Sequence, residues 1–157
     1  VFAPEDRMTG KIKVREARKD DFAQWEPLWD GYMRFYEREP DAKITAATWQ
    51  RFFDSYEPMH VLVAEMDGRI AGIVHYIFHR STWMIGPTCY LQDLFTDARV
   101  RGQGAGRALI EAVYAKAHEA GARRVYWLTH ETNATAMKLY DSIAEKPGFV
   151  VYRKAIV

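Results

Sequence analysis

Cysteine is almost absent. Cys89 is the only one in 157 residues, which excludes an internal disulfide framework and any cysteine-based metal spacing, and fits a reducing, cytoplasmic compartment. Its ordinary role is that of a small buried apolar residue. An excess of charge is missing too: 22 Lys and Arg stand against 21 Asp and Glu, a formal net charge of +1. Nothing in that total calls for nucleic acid, although a local cluster such as Arg99, Arg101 and Arg107 can still hold a compact polyanion. No run approaches the roughly 20 apolar residues of a membrane span. The opening stretch VFAPEDRMTG lacks the basic start and apolar centre of a signal peptide. Residues 1–10 are therefore expected to be an N-terminal extension or expression remnant, with Met8 a candidate natural start, and residues 11–157 to form one domain. Internal repeats and low-complexity segments are also lacking.

What is present is a mixed α/β pattern. KIKVREAR (11–18) alternates as a short strand, and Phe22, Trp25, Leu28, Trp29, Tyr32, Phe35 and Tyr36 follow at spacings of three and four, which predicts a helix. Asp20 or Asp21 is expected to cap it and Pro27 to kink or break it. A second helix is expected over 44–56, opened by Thr45. Two β-rich runs over 59–79 flank Asp67-Gly68, a dipeptide suited to a tight hairpin turn. TCYLQDLFT (88–96) reads as a strand. GAGRALIEAVYAKAHEAGA then forms a helix stopped by Gly121. A strand over 124–130, a helix over 133–145 and a final strand over 148–157 complete an α/β domain.

The stretch RVRGQGAGRAL (99–109) sets Gly102, Gly104 and Gly106 at alternate positions between a strand and a helix, with arginines on both sides. Bare backbone there lets a ligand approach closely, and the N–H groups at a helix start bind anions. Arg101 and Arg107 add charge to the same turn, and an arginine can grip a phosphate through two parallel hydrogen bonds. The expected ligand is a phosphate group. A P-loop is excluded because Arg107-Ala108 follows the last glycine instead of Lys and Ser or Thr. The dinucleotide fingerprint fails as well, since neither Gly102 nor Gly104 begins a pattern with its third glycine in place.

Arg101-Gly102-Gln103-Gly104-Ala105-Gly106 resembles the central motif of the GNAT superfamily of N-acetyltransferases. Downstream, Asn133, Ala136, Leu139 and Tyr140, followed by Gly148-Phe149, resemble a second block of the same family. The longer connection over 141–147 is similar to a branch of fungal histone and polyamine acetyltransferases, a branch that self-associates. The resemblance implies a mainly antiparallel central sheet flanked by helices, with a splayed strand pair forming an acetyl-CoA cleft. It implies that the glycine turn and Arg107 hold the cofactor's diphosphate. It further implies that a bulged strand offers backbone groups near Asp93, Leu94, Phe95 and Thr96 to the pantetheine arm, with Asn133 and Ala136 beside it. Asn133 also has an ordinary explanation as a helix N-cap.

Transfer of an acetyl group from a thioester to an amine needs a neutral amine and a proton for the departing sulfur. An alkyl ammonium of pKa about 10.4 must lose its proton first. Asp93 and Glu131 are the candidate bases, with His130 a third. Asp93 is alternatively an amine anchor or a carboxylate bound within the bulge. The resemblance gives Tyr140 the role of general acid, while its helical face with Ala136, Leu139 and Ile143 also suits packing. The early aromatic residues read as core, with one or two bordering an acceptor site. Acidic residues Asp20, Asp21, Glu26, Asp30, Glu37 and Glu39 read as a solvated face. No metal is called for. The expected activity is acetyl-CoA-dependent N-acetylation of a small primary amine or polyamine, by direct attack in a ternary complex within a homodimer. The alternatives are a histone or peptide lysine acetyltransferase, a non-catalytic acyl-CoA-binding module, and a protein that binds another diphosphate cofactor.

Overall fold

Asp67 and Gly68 both take positive φ, 52° and 75°, the backbone of a two-residue hairpin turn whose twist suits the flanking strands. They join β2 (Met59–Met66) to β3 (Arg69–His79), where the sequence puts the hairpin. In the computed structural model, residues 7–157 are described, and the chain falls into two compact units, Val1–Trp127 and Leu128–Val157. Part of the expected extension, residues 1–6, lies outside the described residues. Met8 lies inside them: its N–H donates to the Arg99 carbonyl at 3.2 Å, and its own carbonyl accepts from Gln103 Nε2.

The first unit is built on a five-stranded sheet of order β1-β2-β3-β4-β5, with β1 at Lys13–Glu16, β4 at Thr88–Thr96 and β5 at Val125–Tyr126. Every pairing is antiparallel except β4 with β5. The helices are α1 (Phe22–Phe35), α2 (Ala42–Arg51) and α3 (Ala105–Glu119). Ile73 belongs to a core cluster with Trp25, Leu28 and Trp29 of α1. A Cβ on its neighbour Gly72 would instead sit 3.1 Å from Leu109 of α3. Successive strand residues point to opposite faces, so α1 and α3 cover the two sides of the sheet. This explains why β3 is buried from Ile70 through Tyr76.

Several expectations change here. Pro27 lies inside α1 without breaking it, because the buried ring-rich face of Trp25, Leu28 and Trp29 holds the helix against the sheet. Asp21 sits at the N-cap but makes no side-chain cap. Its carboxylate accepts from Arg15 at 2.7 and 3.1 Å and from the Arg18 N–H at 2.7 Å. α2 begins earlier than expected, capped by Asp41, which accepts from the Lys43 and Ile44 N–H groups. Thr45 is buried, and its hydroxyl accepts from Trp29 Nε1 at 3.2 Å. α3 ends as predicted: Gly121 takes φ 76°, with Gly121 N–H bonded to the His118 carbonyl and Ala122 N–H to that of Ala117, a Schellman closure. The strand expected over 124–130 shortens to Val125–Tyr126.

In the second unit, α4 (Ala134–Ile143) lies within the helix expected over 133–145. No strand is assigned over 148–157. Apolar alternation there supplies a face, but a strand also needs a paired neighbour, which alternation does not encode.

Candidate active site

The register of β4 changes at one residue. Leu91 pairs with Tyr76 and Asp93 with His75, leaving Gln92 as an extra residue, a β-bulge. A one-residue insertion exchanges faces in everything that follows it. Leu91 opposes Tyr76 on the α3 side, and a regular strand would put Asp93 there as well. The bulge turns Asp93 to the α1 side, opposite His75, with His75 Nδ1 2.9 Å from Asp93 Oδ2. Asp93 is buried, 9% exposed. The bulge implied by the resemblance is thus present.

Around Asp93 stand aromatic groups. Burial, the Asp93 charge and a hydrogen bond to Asp93 push the Tyr32 phenol far up. Tyr36 and Tyr90 are raised by burial and then by the same charge. Tyr32 contacts Phe95 edge-on at 6.5 Å and Tyr36 at 5.0 Å. Gly31 is required for this approach, since a Cβ there would lie 2.9 Å from the Phe95 ring. Trp25 and Trp29 are core residues, 0% and 7% exposed, while Phe35 and Tyr36 reach the surface. The arrangement is a buried carboxylate among phenol groups, chemistry suited to an ammonium group.

On the other edge of β4, pairing with β5 covers only Cys89 with Val125 and Tyr90 with Tyr126, whereas β4 continues to Thr96. Leu94, Phe95 and Thr96 therefore lie on β4 beyond that two-residue pairing. Cys89 is fully buried, and burial pushes its thiol up to about 12, so it is held as a neutral thiol, unsuited to act as a nucleophile.

The glycine turn follows β4 by way of Asp97 and a short 3-10 turn. Gly102 and Gly104 take φ 76° and 85°, and a Cβ on either would meet nothing within 4 Å. Glycine is needed at both for backbone angle, and the space above the turn is open. The first intrahelical bond runs from Ala108 N–H to the Gly104 carbonyl at 2.9 Å. The N–H groups of Ala105, Gly106 and Arg107 precede it at the positive end of the helix dipole. These features fit a diphosphate. Gln103 instead braces the turn through its side-chain contact with Met8 and a 3.4 Å bond to the Arg99 carbonyl. Arg101 is exposed in the turn. Arg99, counted in the basic cluster, pairs with Asp97 at 2.7 Å.

Glu131, Asn133, Ala136 and Tyr140 all lie in the second unit. Asn133 occupies the N-cap position of α4 without capping through its side chain, because its carboxamide donates to Thr129 Oγ1 at 3.3 Å. Glu131 is in the turn before it, where His130 Nδ1 lies 2.7 Å from Thr132 Oγ1. Tyr140 is in the second turn of α4. The residues missed from sequence are His75 and Tyr90, while Tyr32 belongs to the aromatic series of which one or two members were expected to border the acceptor site. A histidine within the apolar run Ile73-Val74-His75-Tyr76-Ile77 was the available signal, since a polar group in a buried strand requires a partner.

The acetyltransferase (GNAT) family profile matches residues 20–144. A D-amino-acid N-acetyltransferase of Saccharomyces cerevisiae is 32% identical over 96% of this chain and 95% of its own length. A thialysine N-epsilon-acetyltransferase of Bos taurus is 32% identical over 84% of this chain and 82% of its own length. Among solved structures, AAC(6')-Iy bound to a CoA bisubstrate analogue superposes with a TM-score of 0.81 at 16% identity, covering 94% of this chain and all of that one. A ribosomal-protein-alanine N-acetyltransferase of Brucella melitensis does so with a TM-score of 0.77 at 20% identity, covering 93% of this chain and 100% of that one. The chain belongs to the GNAT acetyltransferase family and is an acetyl-CoA-dependent N-acetyltransferase.

Proposed function

We propose that the acceptor is the primary amine of a small molecule, a polyamine or an amino-acid-like compound, acetylated by direct attack in a ternary complex. The observation that carries this reading is Asp93, a buried carboxylate turned by the Gln92 bulge toward Tyr32, Tyr36 and Tyr90. An ammonium is drawn to such a carboxylate, and the phenol oxygens around it can accept its hydrogen bonds. Asp93 either grips the amine or takes its proton, and Glu131 is the second candidate for the base. The N–H groups of the Gly102–Arg107 turn hold the diphosphate, and backbone groups at Leu94, Phe95 and Thr96 hold the pantetheine arm. Asn133 and Ala136 contribute by their match to the family motif. On the same ground Tyr140 gives its hydroxyl proton to the departing CoA sulfur. Acetyl-CoA supplies the activated acetyl group when bound. The buried, neutral Cys89 thiol supports direct attack over an acyl-enzyme. The relatives' acceptors, D-amino acids and thialysine, also favour a small amine over a histone or peptide lysine. A homodimer in the cytoplasm completes the reading, the compartment resting on the single cysteine.

The test is turnover of acetyl-CoA against D-amino acids, thialysine, polyamines, aminoglycosides and lysine peptides, with products identified by mass spectrometry. One small-amine class should be acetylated. Tyr140→Phe, which retains the ring, should lower kcat by about 100-fold or more, and unchanged turnover would remove Tyr140 from the chemistry. Acetylation confined to peptides would favour the histone-type alternative. Binding of acetyl-CoA with no acceptor modified would favour a non-catalytic module.

A further inference from the structure

The polar groups within the aromatic layer between α1 and the sheet form a hydrogen-bond chain with one permitted direction. Trp25 Nε1 lies 3.0 Å from His75 Nε2, and His75 Nδ1 lies 2.9 Å from Asp93 Oδ2. Trp25, His75 and Asp93 are 0%, 2% and 9% exposed. An indole N–H only donates, so His75 Nε2 must accept through its lone pair. The imidazole proton is then on Nδ1, where it donates to Asp93.

The reverse order fails. A proton on Asp93 Oδ2 donating to Nδ1 would leave the imidazole N–H on Nε2, facing the indole N–H donor to donor. The enclosure offers the ring little relief. Phe52, at 4.7 Å between centroids, has no polar atom, and the N–H of Trp29, at 5.3 Å, is committed to Thr45. Sequence periodicity assigns Trp25 to the core by its bulk, and its N–H has this second consequence.

We infer that His75 is a positioning residue for acetyl transfer, locked by Trp25 in the Nδ1–H tautomer so that it holds Asp93 through Oδ2 as an acceptor-only carboxylate. An ionised, oriented carboxylate is what binding an ammonium or taking its proton requires. The inference rests on Asp93 facing the amine, as proposed above. Other titratable groups facing this carboxylate are Tyr32 from α1, Tyr36 at its C-cap and Tyr90 from β4, all uncharged phenols with raised pKa. Residues Trp49 and Phe52 of the α2 region bring no charge. The lock opposes protonation at Oδ2, so removing it should move the acidic limb of the kcat/KM profile to higher pH.

The first readout needs no acceptor: nitrogen NMR of histidine-labelled protein at neutral pH, with the His75 signals assigned by their loss in His75→Asn. Nδ1 should be the protonated, pyrrole-type nitrogen and Nε2 the pyridine-type one. An Nε2–H tautomer or an imidazolium overturns the inference. Kinetics with thialysine and spermidine then separate this step from the reading beneath it. His75→Phe should lower kcat/KM about tenfold and move the acidic limb to higher pH. His75→Asn, whose amide N–H replaces that of Nδ1, should restore most of both, and Trp25→Phe should move the limb the same way, alongside the lower melting temperature expected when a fully buried ring is made smaller. If Asp93→Asn collapses turnover but the limb stays in place in His75→Phe and Trp25→Phe, His75 only packs. If Asp93→Asn is fully active, the amine-facing role of Asp93 is wrong, and the positioning role falls with it.

Discussion

Arg15 shows how one side chain can organise a neighbourhood. Its guanidinium reaches Asp21 at 2.7 Å and Glu65 at 2.8 Å, tying β1 to β2 and to the start of α1. The Arg15 hydrogen bond holds the Asp21 carboxyl below its ordinary value, against the opposing effect of burial. A depressed carboxylate contributes stability that is fully present above its unfolded pKa of about 3.9 and lost as pH falls through its folded pKa. Thermal melts should therefore lose stability below about pH 4, and Asp21→Asn should flatten that dependence while melting lower at neutral pH. Arg15→Ala, which strands a buried carboxylate, should cost about 2 to 3 kcal/mol in denaturant titration. A single residue also decides the site: Gln92, with no partner across the ladder, sets which face Asp93 occupies.

At the scale of elements, the strand-turn-helix formed by β4, the glycine turn and α3 is where acetyl-CoA is proposed to bind. The positive φ of Gly104, with open space where a Cβ would project, separates backbone strain from ligand blocking. Gly104→Ala should cost about 1 kcal/mol, or about 2 to 4 °C in melting temperature. It should weaken acetyl-CoA binding about tenfold or more, because the added methyl group enters the approach to the helix-start N–H groups. Calorimetry showing unchanged affinity would place the diphosphate elsewhere. Deleting Gln92 should restore regular alternation with Leu91 and Asp93 as direct neighbours, which keeps the carboxylate on the α1 face opposite His75. The expected outcome is measurable turnover with far-ultraviolet dichroism preserved, and near-complete loss would show that the bulge itself is needed beyond setting the carboxylate's face.

For the whole molecule, acetyl-CoA that binds only the folded chain must stabilise it by linkage, by about 2.7 kcal/mol at a hundredfold excess over Kd. Melting temperature should rise steadily with the logarithm of acetyl-CoA concentration, whereas NAD should leave it unchanged. The reverse pattern would revive a dinucleotide reading of the turn. Light scattering should give twice the chain mass if the protein is a homodimer.

Local backbone chemistry was legible in the sequence. Asp67-Gly68 turns, Gly121 terminates a helix, and Gly102 and Gly104 occupy left-handed positions, because each depends on dihedral angles that few residues adopt. Apolar spacing likewise placed β2, β3, β4 and α3. Only tertiary packing carried α1 through Pro27, drew Asp21 to Arg15 and drew the Thr45 hydroxyl to Trp29, whereas the Asp41 cap of α2 is a local contact with the next turn. Packing also joined Trp25, His75 and Asp93, which are far apart in the chain and meet only when α1 lies on the sheet. The sequence by itself determined the turns, the periodic faces and the glycine-rich start of α3, since these are written in dihedral preference and spacing over a few residues. The direction in which Asp93 points, and the tautomer of the histidine behind it, were decided by the fold, since register across a bulge and donor-acceptor matching in a closed core depend on partners that no local stretch contains.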